Sequence, residues 1–150
     1  MSQSLTKLYV HLVFSTKGRT DTIPKLHLKD VHAYVAEIFN QHNSPAICVG
    51  GTANHIHILF ALNKNMSLSE IIRIVKSSST KYINKNNGIF NPFCWQNGYG
   101  AFSISQSHVN DVKHYIETQD EHHIRVNYQD EFRRLCSLYG VEIDERYVWD

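Results

Sequence analysis

The sequence predicts an α+β fold: a ferredoxin-like antiparallel β-sheet with helices packed on it. Three observations lead there. Segments of period two, rich in β-branched and aromatic residues, alternate with segments of period 3.6. Their order reads β-α-β-β-α-β, followed by two further helices, and the first six elements match the ferredoxin-like plan. The second and third strands are separated only by a Gly-rich turn, as in a hairpin.

Taken in order, "LYVHLVFST" (8–16) alternates and carries Val, Phe and Tyr, so it reads as a strand. "LKDVHAYVAEIFNQH" (28–42) sets Val31, Val35, Ile38 and Phe39 at helical spacing. "PAICVGG" (45–51) and "HIHILFAL" (55–62) are two strands turning near residues 50–54. "SLSEIIRIVKSSSTKYINKN" (67–86) opens with Ser67 and Glu70 in capping-box spacing and continues as a basic helix. "FCWQNGYGAFSIS" (93–105) reads as an aromatic, Gly-interrupted strand or hairpin. "SHVNDVKHYIETQDEHH" (107–123) reads as a helix started by Ser107 and Asp111. "YQDEFRRLCSLYG" (128–140) is a short last helix stopped by Gly140.

With 150 residues the chain has enough length for one real core and too little for two ordinary domains, so 1–150 reads as a single domain. Apolar residues at 42% and charged residues at 19% exclude a disordered chain. No apolar run approaches the ~20 residues that span a bilayer, and the N-terminus lacks the layout of a cleavable signal. Cys48, Cys94 and Cys136 are odd in number and widely spaced, which fits reduced thiols and a cytoplasmic location. The net charge is only +1, but its distribution is uneven. Residues 1–110 hold 10 Lys/Arg against 4 Asp/Glu, and residues 111–150 hold 5 against 10. That asymmetry suggests one basic working surface and an acidic final segment.

Two histidines sit within the apolar strand at 55–62. Residues two apart share a strand face, so His55, His57 and Leu59 point one way and Ile56, Ile58 and Phe60 the other. The imidazoles then project together, about 6.5 Å apart at Cα from strand rise, and can hold one divalent metal. Alone the pair is a weak signal in a chain with 10 histidines. Tyr115 and Gln119 strengthen it. They lie four apart on one helix face, beside an apolar stripe of Val109, Val112 and Ile116. Gln119 offers a carbonyl oxygen as a third ligand. Tyr115 offers a phenolic oxygen, a poor nucleophile at its free pKa of ~10 that needs an electrophile activated by a metal. His11, on the first strand, is a lesser candidate for the same site.

With these residues in place the chain resembles the HUH endonuclease superfamily, and within it the small one-tyrosine transposases of single-strand insertion sequences. The resemblance runs through "HLVFSTKGR", "GGTANHIHIL", "SLSEIIRIVKSSS", "WQNGYGAFSIS", "VKHYIETQDEHH" and "DEFRRLCSLYGVEIDERYVWD". One departure is Asn54, where members often carry an acidic residue; the metal ligands are unaffected, and the charge behind them is what differs. The resemblance implies an HUH-type transposase fold. It implies that His55, His57 and Gln119 hold Mg²⁺ or Mn²⁺. It implies that Tyr115 attacks a single-stranded DNA phosphodiester, leaving a 5′-phosphotyrosine and a free 3′-OH that can rejoin new strands. It further implies single-stranded DNA with subterminal hairpins as substrate, and a homodimer with shared active sites.

The helix at 67–86 carries Arg73, Lys76, Lys81 and Lys85 among hydroxyl residues, which suits phosphate contacts. Trp95 and Tyr99 could stack on unpaired bases, although core packing is the commoner role. Two other functions share these features. A metal-dependent nuclease using activated water would not need Tyr115, and a non-catalytic hairpin-binding protein would need neither the tyrosine nor the ligands.

Overall fold

The computed structural model describes residues 2–87, 92–122 and 125–150. Four strands, β1 (Tyr9–Ser15), β2 (Ala46–Thr52), β3 (His55–Ala61) and β4 (Gly100–Ile104), form one sheet in the order β2-β3-β1-β4. Every neighbouring pair is antiparallel. The helices are α1 (Leu28–Gln41), α2 (Leu68–Asn87), α3 (Val109–Glu117), the single turn α4 (Gln119–His122) and α5 (Tyr128–Leu138). The α+β, ferredoxin-like arrangement predicted from the sequence is the one observed.

Helices cover both faces of the sheet, which is why β3 is buried almost throughout. On one face Leu12, Phe14, Ile56, Ile58 and Phe60 meet Val31, Val35, Ile38 and Phe39 of α1 and Ile71, Ile72 and Val75 of α2 in the main core. Each such side chain contributes about 1.5–3 kcal/mol by leaving water. On the opposite face two smaller clusters form. Leu59 and Ile104 pack with Val109 and Ile116 of α3. Val13 and Phe102 pack with Tyr128, Phe132, Leu135 and Cys136 of α5. The histidines lie on this second face, between the two clusters.

Two glycines allow the second layer to approach. A methyl on Gly50 would stand 2.5 Å from the Ile116 carbonyl oxygen, so β2 accepts α3 only without a side chain there. A methyl on Gly100 would stand 2.7 Å from the Phe132 ring of α5. Ser67 caps α2 by accepting the Glu70 amide, as its spacing predicts.

Three expectations are corrected. The strand or hairpin at 93–105 reduces to β4; upstream, Trp95 makes an isolated bridge to Thr16 and is buried. Trp95 packs edge-on against Phe14 and Phe93 and donates its indole N–H to Ser79, so it belongs to the core. The helix expected from 107 begins at Val109, after a 3₁₀ turn, with no side-chain cap; the Ser107 hydroxyl is engaged by the neighbouring His108 ring instead. It also breaks at Thr118, whose hydroxyl bonds back to the His114 carbonyl, and residue 123 of the expected span lies outside the described residues. In the sheet order β1 is central, and β2 and β4 are the edges.

Candidate active site

The site is assembled from β1, β3 and the helices that cover them. His55 and His57 stand on β3 opposite Ser15 and Val13 of β1, and both are fully buried. The α3 helix, seated against Gly50, brings Tyr115 over the pair; its ring centroid is 5.9 Å from that of His57. One turn on, Gln119, 1% exposed, points inward, and its Oε1 lies 3.2 Å from His55 Nε2. All four sequence-predicted catalytic and ligand residues therefore converge within one chain.

Three further residues join them. Glu131 of α5 is buried, with Oε1 2.9 Å from His57 Nε2 and 3.7 Å from His55 Nε2, while its Oε2 accepts the Tyr115 hydroxyl at 2.5 Å. His11 lies 2.8 Å from His57 Nδ1 through its Nε2. Burial, followed by the neighbouring His57, pulls the His11 imidazole down to about 3, so it stays neutral. Asn54 Oδ1 lies 2.7 Å from His55 Nδ1. With a metal on His55 Nε2, Nδ1 would carry the proton and donate it to this amide oxygen. An amide oxygen thus stands behind His55, on the side away from Gln119.

The types and placement of these atoms test the fit of a metal. His55 Nε2 faces Gln119 Oε1 and Glu131 Oε1, and His57 Nε2 faces Glu131 Oε1, so two imidazole nitrogens and two oxygens converge in a buried site. Ligand atoms of His55, His57 and Glu131 all lie within 4.8 Å of one another, a group that could hold a metal ion. The donor set fits a divalent cation.

Tyr115 is half-buried, and its hydroxyl is held protonated. Burial, then the hydrogen bond to Glu131 and its negative charge, push its pKa well above the usual phenol value. Beside it opens a cleft of about 300 Å³ lined by His11, Val112, Tyr115, Leu135, Leu138 and Arg134.

The predicted DNA-contacting residues divide. Arg73, Lys81 and Lys85 are exposed on α2 and, with exposed Ser77, recur every four residues along one side of it. Lys76 is used inside the fold. Its ammonium donates to the carbonyls of Gln96, Asn97 and Gly98 at 2.8, 3.1 and 2.7 Å and lies over the Phe14 and Tyr99 rings. Burial lowers its pKa to about 8. Its donors are committed to tying α2 to the loop before β4, so it is not available as a phosphate contact.

Glu131 escaped the sequence reading, although the sequence holds a signal for it. Buried Tyr128, Phe132, Leu135 and Cys136 define the inner stripe of α5, and Glu131 falls on that stripe. An acid on the apolar side of an amphipathic helix needs a partner inside. Which partner it finds depends on the fold.

Comparison with known proteins adds a family and two solved structures. The family described as "Transposase IS200 like" matches residues 4–119. A solved protein from Deinococcus radiodurans R1, described as a transposase, superposes with a TM-score of 0.63 at 17% identity, covering 79% of this chain and 98% of its own. A REP-associated tyrosine transposase, solved bound to a REP hairpin, superposes with a TM-score of 0.55 at 12% identity, covering 83% of this chain and 74% of its own. No curated protein sequence matches the chain.

Proposed function

The chain belongs to the IS200-like transposase family, and on that premise we propose that it cleaves and rejoins single-stranded DNA through a covalent link to Tyr115. The observation that carries this reading is the convergence of Tyr115, His55, His57 and Gln119 in one buried site. Held by the two histidines and Gln119, Mg²⁺ or Mn²⁺ would supply a Lewis acid that polarises the phosphodiester.

The remaining chemistry belongs to the side chains. Tyr115 Oη forms the new bond to phosphorus, and the bond to O3′ breaks, giving a 5′-phosphotyrosine and a free 3′-OH. The phenolic proton leaves along the hydrogen bond to Glu131 Oε2, and the departing O3′ takes up a proton from solvent. His11 and Asn54 hold the two imidazoles in orientation from behind. Attack by another 3′-OH reverses the sequence and joins new strands without ATP, because the covalent link keeps the bond energy.

Arg73, Lys81 and Lys85 are the proposed phosphate contacts for a subterminal hairpin, on the sheet face opposite the histidines. The hairpin seen with the REP-associated relative supports this class of substrate. No helix among the described residues is long and apolar enough to cross a membrane, and a cytoplasmic site of action fits a DNA substrate. We include a homodimer in the proposal. Tyr115 of each chain faces that chain's own histidines, so shared sites require α3 to leave Gly50 and dock on a second copy.

The deciding experiment incubates the protein with single-stranded element ends and Mn²⁺ and resolves the products on a denaturing protein gel. A covalent protein–DNA adduct that disappears with Tyr115→Phe and with EDTA is expected. Cleavage without an adduct would instead indicate hydrolysis by activated water.

A further inference from the structure

We infer that Glu131 is a ligand of the same divalent ion, and that Tyr115 is the hydrogen-bond partner fixing this ligand, so that one carboxylate joins metal and nucleophile. The inference rests on the metal-assisted reading above and extends it to a residue beyond the span matched by the family, which ends at 119.

Geometry supplies the first argument. Glu131 Oε1 lies near both His57 Nε2 and His55 Nε2, on the side that Gln119 Oε1 also faces. An ion bound by the histidines therefore meets this oxygen after a small shift. Chemistry supplies the second. Two imidazoles and an amide oxygen are neutral and suit softer ions as well as hard ones. A carboxylate adds negative charge and a hard oxygen, which is what Mg²⁺ or Mn²⁺ prefers.

The second oxygen carries the functional consequence. Ligating carboxylates are themselves held by hydrogen bonds, and losing that outer partner weakens metal binding about 10–100-fold. Here the outer partner is the Tyr115 hydroxyl. Glu131, which takes the phenolic proton, then also positions the nucleophile: it keeps the phenolic oxygen beside the metal, where the scissile phosphate would lie.

The test is calorimetric titration of Mn²⁺ into the full chain without DNA, for the unaltered protein, Tyr115→Phe, Glu131→Gln and the double variant. Glu131→Gln should weaken Mn²⁺ binding at least tenfold. Tyr115→Phe should weaken it about tenfold, although the tyrosine is not itself a ligand. In the Glu131→Gln background the tyrosine change should have less than a twofold effect, and that non-additivity is the signature of coupling through the carboxylate. Equal affinity for the unaltered protein and Tyr115→Phe overturns the inference and leaves the metal-assisted reading intact. Absence of Mn²⁺ binding by the unaltered protein overturns both. Should Glu131→Gln fail to fold, the comparison of Tyr115→Phe with the unaltered protein still decides.

Discussion

At Tyr115 the fold has set a phenol between two demands. Burial and Glu131 hold it protonated, while its place beside the histidines leaves it one proton transfer from a nucleophile. Tyr115→Phe should abolish the covalent adduct and leave the DNA dissociation constant within about twofold, since only one oxygen is lost. Undiminished adduct in a gel assay would remove Tyr115 from the mechanism. The histidines make a separate prediction. His55→Ala or His57→Ala removes one of the two imidazoles proposed to hold the ion, so Mn²⁺-stimulated cleavage should fall to background. Cleavage by the unaltered chain that proceeds equally in EDTA would reject the metal site.

At the scale of elements, α2 and α5 divide the work. The outer side of α2 presents Arg73, Ser77, Lys81 and Lys85 to solvent, while Lys76 anchors the helix to the loop before β4. Lys81→Ala and Lys85→Ala should each weaken hairpin binding and lower the slope of log affinity against log salt by about one. Lys76→Ala should leave that slope unchanged and lower the melting temperature, because its three carbonyl acceptors lose their donor. Measured slopes in the opposite order would mean that α2 turns another side to DNA. The α5 helix depends on its approach to β4. Gly100→Ala forces a methyl against the Phe132 ring and should cost about 1–3 kcal/mol in chemical denaturation. Because Phe132 adjoins Glu131, that variant should weaken Mn²⁺ binding as well. Unchanged stability would show that the ring yields without moving the helix.

For the whole molecule, the question is whether one chain or two complete a site. The test combines a chain bearing His55→Ala and His57→Ala with a chain bearing Tyr115→Phe. Neither cleaves alone. Shared sites predict that cleavage returns in the mixture, because one site then holds an intact histidine pair and an intact tyrosine. A mixture as inactive as its parents means that each chain uses its own α3, seated as it is against Gly50.

The sequence by itself determined the element order, the main core and one half of the site. Val31, Val35, Ile38 and Phe39 repeat at helical spacing and are the buried residues of α1. Alternation in "HIHILFAL" sent Ile56, Ile58 and Phe60 to one face and the histidines to the other, as found. Such features are legible because a helix or strand repeats over neighbouring residues, so local pattern fixes the face. Tertiary structure alone decided the rest. Lys76 looked like its neighbours on a basic helix until the loop before β4 folded three carbonyls onto it. Glu131 stands 74 residues from His57 in sequence, and no local period relates a charge on α5 to an imidazole on β3. Gln119 shares the Tyr115 face by its spacing of four, but its meeting with His55 exists only because α3 packs on β2 at a glycine. These contacts depend on which surfaces pack together, so they exist only once the sheet has formed and both of its faces are covered.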